Sequence, residues 1–299
     1  MTRIKQIWGD EGLEFLDFSG LLQNRFSQER TFIKVRKSNN PLNKVMELFY
    51  RELGQGTPIV IMHGLFGSSD NWLTQARMLS SHYRVFSLDL RNHGLSPHDE
   101  AFSYPVMVSD LKEFIEQRKL EGPVLIGHSM GGKVAMNFAL AHPEMVSKLI
   151  VVDMAPKAYD LEHYAILEGL KAIPIESITS RTEADQKLSG FVPDPETRQF
   201  LLKNLQRKPE GGFTWKINLP AVSKNLPKIG LDLEFKGKFQ KPTLFIRGAR
   251  SVYIKDDDLE RIRTVFPAAS LETLDTGHWV QAEKPKEFVE VVEKWLTKN

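Results

Sequence analysis

The chain of 299 residues carries 40 Lys and Arg against 38 Asp and Glu, a formal charge of +2, with 41% hydrophobic residues and no cysteine. The interspersed charges leave no basic stripe for a nucleic acid, and the missing cysteine excludes disulfides, thiol catalysis and Cys-based zinc sites. No apolar run reaches membrane-spanning length and the first ten residues lack a secretory h-region, so a cytoplasmic protein with no membrane partner is expected.

In chain order, residues 1–45 come first and follow no sustained pattern. Phe15, Phe18 and Leu22 have helical spacing, Gly12 and Gly20 interrupt it, and 31–37 reads equally as a strand. This stretch is an extension of unknown role, either accessory segment or tail. From Met46 onward the pattern becomes regular. Residues 46–51, before the Gly54-Gln55-Gly56 turn, read as an edge strand. Short apolar runs at 59–62, 85–88, 124–126, 149–152, 243–246 and 271–274 then alternate with helical patterns. Alternation of this kind predicts an α/β fold, a mostly parallel sheet with helices on both faces. Between Asp153 and Pro242 it stops, and helical stretches at 165–172 and 196–206 take over. Residues 156–238 are therefore expected to form an inserted helical cap on a core of 46–155 and 239–299.

The most informative segment is Gly127-His128-Ser129-Met130-Gly131-Gly132. G-x-S-x-G alone is a weak signal, but here an apolar run precedes it and 133–140 follows with apolar residues at helical spacing. Ser129 thus sits on a strand-to-helix elbow, where Gly127 and Gly131 let strand and helix approach without Cβ clashes. A serine nucleophile needs a base, and a group that holds the base in one tautomer. Of eight histidines, His278 in Asp275-Thr276-Gly277-His278-Trp279 follows the last predicted strand and can lean over the sheet edge. Structural hydrogen bonding is expected for His63, His93 and His128, while His82, His98, His142 and His163 fall in helix-end, loop or cap contexts.

For the acid, Ser251 stands where a carboxylate would be expected in this chain order. Asp153, at the end of 149–152, points into the same sheet edge as the nucleophile and is the preferred candidate. Asp256 to Asp258 are the competitors, read as the solvated first turn of a helix, and Asp89 reads as a loop-bracing residue. The oxyanion of an acyl transfer needs two backbone donors. Met130 supplies one, and Leu65, with Phe66 next in line, supplies the other. Phe66, His128 and Trp279 are candidate substrate contacts, whereas Trp72 and Trp215 fit a core role as well. No H-E-x-x-H, dinucleotide fingerprint or P-loop occurs, so neither metal nor cofactor is expected.

With Ser129, Asp153 and His278 in this order, the chain from about residue 46 to its end resembles the α/β-hydrolase superfamily. Within it, Arg91-Asn92-His93-Gly94-Leu95-Ser96-Pro97-His98, Val152-Asp153-Met154-Ala155-Pro156 and the Ser251 loop are similar to YbfF-type esterases and their abhydrolase-domain-containing 11 relatives. The resemblance implies that the acid lies after the sixth strand, at Asp153. It also implies activity on short to medium acyl esters, with thioesters within range, and no cofactor. The expected activity is accordingly that of a serine carboxylesterase for a small-molecule ester, working through an acyl-enzyme. Three alternatives stand beside it: a carbon–carbon bond hydrolase of ring-cleavage dienes, an acyltransferase to an alcohol, and a non-catalytic binding module of the same fold. Oligomeric state is not legible.

Overall fold

The computed structural model describes residues 6–9, 13–16, 46–160 and 163–299. A short antiparallel hairpin, β1 (Gln6–Gly9) and β2 (Leu13–Leu16), stands apart from the main sheet. Phe15 thus lies in a strand rather than a helix. Leu13 and Phe15 alternate with period two, and this local pattern prevails over the spacing to Phe18 and Leu22, which lie, with 31–37, outside the described residues.

The main sheet has seven strands: β3 (Tyr50–Leu53), β4 (Pro58–Met62), β5 (Arg84–Leu88), β6 (Val124–His128), β7 (Lys148–Val152), and, beyond an insertion, two more. The insertion contributes a hairpin, β8 (Leu205–Arg207) and β9 (Phe213–Trp215), and the sheet resumes with β10 (Thr243–Gly248) and β11 (Ala269–Leu274). The spatial order is β11-β10-β7-β6-β4-β5-β3. Only β3 runs antiparallel, at the edge beside β5. The expected edge strand therefore exists but begins at Tyr50; Met46 and Leu48 are buried as non-strand backbone.

Period two explains the two cores. Ile59, Ile61, Val124, Ile126, Ile150, Val152, Leu244 and Ile246 face one side. Their neighbours Val60, Met62, Leu125, Leu149, Val151 and Phe245 face the other. On the first face pack α1 (Leu73–Leu79), here through Ala76 and Leu79, and the C-terminal helix through Phe288, Val289, Val292 and Leu296. The second face is covered by α2 (Tyr104–Gln117) and α3 (Met130–Ala141), together with the insertion.

Between β7 and β10 lie α4 (Tyr164–Lys171), α5 (Arg181–Leu188), α6 (Pro195–Leu202), the β8–β9 hairpin and α7 (Leu219–Ile229). The helix expected over 196–206 ends at Leu202 and the chain turns into β8, so the insertion is not wholly helical. Asparagines seat it on the core. Asn204 donates to the Phe66 carbonyl at 2.8 Å, Asn218 to Asn92 Oδ1 at 3.0 Å and Asn225 to the Glu100 carbonyl at 3.1 Å. Lys133 of α3, buried between the rings of Tyr104 and Tyr159 at 5.7 and 5.1 Å, donates its amine to the Leu231 carbonyl. Burial lowers its pKa to about 8. After β10 come α8 (Asp258–Val265), then α9 (Val280–Glu283) and α10 (Pro285–Lys298). Among the described residues no helix is long and apolar enough to cross a membrane.

Backbones approach closely where α3 leaves β6. A Cβ on Gly131 would meet the Met62 and His63 carbonyl oxygens at 2.5 and 2.6 Å, whereas one on Gly132 would meet its nearest neighbours at 3.1 Å. Gly131→Ala should therefore cost about 3 kcal/mol of stability or more, since backbone cannot move aside as a side chain can. Gly132→Ala should cost distinctly less. Urea unfolding of both variants checks the ranking, and equal midpoints would refute it.

Candidate active site

Because β4, β6, β7 and β10 pair in parallel register, with Met62 beside Gly127, His128 beside Val152 and Val152 beside Ile246, their carboxyl ends line up along one edge. That edge of an open parallel sheet is where loops can converge on a ligand. Ser129 directly follows β6, Asp153 directly follows β7, and His278 lies in the loop after β11.

Ser129 has φ +52° and ψ −117°, far from helix or strand, and stands as the residue before α3. Its amide donates to the Val152 carbonyl at 3.1 Å and its carbonyl accepts from Lys133 N at 3.1 Å, so both neighbouring elements hold the strained turn in place. Asp153 is likewise at positive φ, +50°, with its amide bonded to the Ile246 carbonyl at 2.8 Å. Its side chain is fully buried. Three donors satisfy it: Gly248 N on Oδ1 at 3.1 Å, Ser251 Oγ on Oδ2, and His278 Nδ1 on Oδ2 at 2.7 Å. The bond from Nδ1 leaves Nε2 of His278 with its lone pair free. The His278 ring is also stacked on Tyr253, centroids 3.9 Å apart and planes at 18°. Tyr253 is held in turn, because Tyr159 donates its hydroxyl to the Tyr253 carbonyl at 2.6 Å.

Ser129 and His278 line one cavity of about 710 Å³. Among the described residues the Ser129 hydroxyl has no protein partner and opens into that cavity. The Ser129–His278 hydrogen bond is thus not made here, as is common in unliganded sites, where such contacts close around substrate. Among the described residues the Leu65 and Met130 amides have no acceptor either. Phe66, next in line for the oxyanion, is removed from that role: its amide donates to His93 Nε2 at 3.3 Å. It still lines the cavity with its side chain, as do His128 and Trp279. Trp72 and Phe200 add further aromatic wall, whereas Trp215 lies in β9.

The competing acids sit elsewhere. Asp256 is exposed and paired with Arg247 at 2.6 Å. Asp258 is not solvated as expected: it is buried and binds Lys157 at 2.6 and 2.8 Å, because the insertion delivers a cation that lies 101 residues away in sequence. Asp89 braces loops, accepting from Ser69 N at 2.6 Å and Leu95 N at 2.7 Å. The histidines at the same sheet edge bond loop backbone. His63 accepts from Leu90 N at 2.9 Å and donates to Gly64 O at 2.8 Å. His93 donates to Arg91 O at 2.9 Å, and His128 donates to the His278 carbonyl at 2.9 Å, bracing the loop after β11. Three roles were invisible in the sequence: the Tyr253 stack, the Asn204 clasp on the Phe66 carbonyl, and His163, which joins the cavity wall from the insertion.

Comparison with known proteins agrees with this architecture. The model of the alpha/beta hydrolase fold matches residues 57–171. An sn-1-specific diacylglycerol lipase ABHD11 from Danio rerio is 38% identical over 269 residues, covering 87% of this chain and 84% of that one. The chain belongs to the α/β-hydrolase family. Within the family, esterase YbfF of Escherichia coli is 33% identical, with 80% of this chain and 93% of the relative covered. A solved marine microorganism esterase superposes with a TM-score of 0.81 at 41% identity, covering 84% of this chain and 99% of that one. All three are, by name, hydrolases of ester bonds.

Burial lowers the pKa of His63 to about 4 and of His93, which His63 also repels, to about 3, from an ordinary 6.5. Between pH 6.5 and about 4 the unfolded chain takes up protons that the folded chain refuses. Their stabilisation is thus complete above 6.5 and falls with falling pH, each by up to about 1.4 kcal/mol per pH unit. His93→Gln, which keeps an acceptor and a donor, should be less stable at pH 7.5 yet lose less on going to pH 5. Urea midpoints at the two pH values check this; parallel losses in variant and wild type would contradict it.

Proposed function

We propose that the chain is a serine carboxylesterase for short to medium acyl esters, with Ser129 as nucleophile, His278 as general base and acid, and Asp153 as the orienting acid. The observation that carries this reading is the 2.7 Å bond to a fully buried Asp153 from Nδ1 of His278, whose ring lines one cavity with the strained Ser129. In the first half-reaction Ser129 Oγ bonds to the ester carbonyl carbon as its proton passes to His278 Nε2. The tetrahedral oxygen takes its charge beside the Met130 and Leu65 amides. Collapse breaks the bond to the alkoxy oxygen, which leaves as alcohol with the proton from Nε2. Water then gives a proton to Nε2, attacks the acyl-enzyme, and the acid departs as Ser129 regains its proton. Asp153 stays ionised and stabilises the imidazolium.

Residues 46–155 and 239–299 form the catalytic core in this reading, and 156–238 cap it, setting the size of ester admitted.

Ser129→Ala should lower kcat for 4-nitrophenyl butyrate by about 10⁴-fold or more, because the three residues act as a unit. Asp153→Asn should cost about a thousandfold, through loss of the tautomer that frees Nε2, while Asp256→Asn should stay within about twofold, as expected of an exposed surface pair. Steady-state kinetics on the purified variants decide it. Full turnover by Ser129→Ala, or a larger loss from Asp256→Asn than from Asp153→Asn, would move the assignment.

A further inference from the structure

Tyr253, in the loop after β10, lays its ring against the imidazole of His278 with centroids 3.9 Å apart and planes at 18°. Among the described residues no other ring pair is as close; the next, His128 with His278, stands at 4.7 Å and 41°. Two uncharged aromatic rings usually settle offset or edge-on at about 4.5–7 Å, so this near-parallel pair is closer than mutual packing of neutral rings requires. Tyr253 is held there at both backbone and ring. Its carbonyl accepts from the Tyr159 hydroxyl at 2.6 Å, its amide donates to Ser251 Oγ at 3.2 Å, and its ring packs on that of Tyr159 at 5.3 Å. Tyr159 accepts in turn from Ala155 N at 2.8 Å, two residues beyond Asp153, and burial raises its pKa so that it stays a donor. One hydroxyl thus ties the stacked ring to the segment that carries the carboxylate.

The use of such a ring depends on the charge of His278, and here the argument rests on the reading of that residue as the base given above. The imidazole is neutral before the reaction and cationic once it has taken the Ser129 proton. Asp153 on Nδ1 is the buried anion beside it. His128 and His163 are kept neutral by burial, which lowers the first well below its ordinary value and the second to about 4. Glu283, which accepts from Gly277 N at 2.9 Å, is paired with Arg250, and Arg250 with Asp275, in an exposed set that solvent screens. The π face of Tyr253 carries partial negative charge, so it attracts the imidazolium more than the imidazole. An interaction that is stronger after proton transfer than before it lowers the barrier rather than merely tightening the ground state. Among the described residues that line the cavity Tyr253 is not one, so it acts on the reaction through His278.

We propose that Tyr253 is a positioning residue for the base, whose ring fixes the plane of the His278 imidazole and whose π face stabilises the imidazolium formed during proton transfer.

The test compares rings of similar size and different face charge at position 253, with 4-nitrophenyl butyrate as substrate and rates taken per Ser129 labelled to completion by a fluorophosphonate. Tyr253→Phe, which keeps the π face, should stay within about threefold of wild type. Tyr253→Leu should lose about tenfold in kcat, the scale of a cation–π contact away from water, with KM within about twofold. The acid limb of its kcat/KM profile should move about one pH unit lower, since a tenfold loss of imidazolium stability corresponds to one unit. Pentafluorophenylalanine at the same position keeps the shape of Phe but reverses the charge of the face, so it should fall with Tyr253→Leu even where packing is intact. A fluorinated ring as fast as Tyr253→Phe, a Leu variant as fast as Tyr253→Phe, a loss confined to KM, or an unmoved acid limb would overturn the proposal. If Ser129 takes no label in wild type, the assignment of the base fails as well, and this inference falls with it.

Discussion

A carboxylate enclosed without any contact to water is stable only where donors surround it, and the burial of Asp153 is the constraint on which the rest of the site depends. The donors come from three places. One is the amide of Gly248 at the end of β10, one is the hydroxyl of Ser251 in the following loop, and one is the imidazole of His278 after β11. Satisfying the charge therefore draws two distant loops over the carboxyl edge of the sheet, and it does so with the imidazole in one defined tautomer. Removing any of the three donors would leave a buried charge short of partners, which costs more than the bond itself is worth in water.

The second requirement is strain held by regular structure. Ser129, Asp153 and Phe66 all have positive φ although none is glycine. Each follows or closely follows a parallel strand, β6, β7 or β4, whose register is locked by neighbours on both sides. The strand ends are rigid because the cores on both faces are closed, so the adjoining residues are held where they would not sit unaided. The insertion adds to this by gripping the Phe66 carbonyl through Asn204, one residue beyond Leu65 in the loop after β4.

Much of this was legible in the residues. Six apolar runs mark the parallel strands within a residue or two, because inner strands, buried on both faces, carry mostly aliphatic side chains, while the edge strand β11 keeps only Leu271 and Leu274 in its run. The elbow at Ser129 is readable because small residues are needed on both sides of it. Asp153 follows from its place at a strand end, and Ser251, standing where a carboxylate was expected, turns out to bond the carboxylate instead. Features set by distant sequence were not legible. The solvated reading of Asp258 failed because Lys157 lies 101 positions away, and Phe66 lost its amide to His93, 27 positions away. The end of α6 was overrun since Leu202 and Leu205 keep an apolar pattern while the backbone changes type. Residues such as Tyr253 and His163 act through stacking and enclosure, for which no spacing rule exists.

The central claim is a single activated hydroxyl, coupled through His278 to Asp153, and covalent labelling tests it most directly. Wild-type protein treated with a fluorophosphonate and mapped by peptide mass spectrometry should carry one adduct, on Ser129, formed far more slowly in Asp153→Asn. An adduct on another residue, or labelling that proceeds undiminished in Ser129→Ala, would contradict the account.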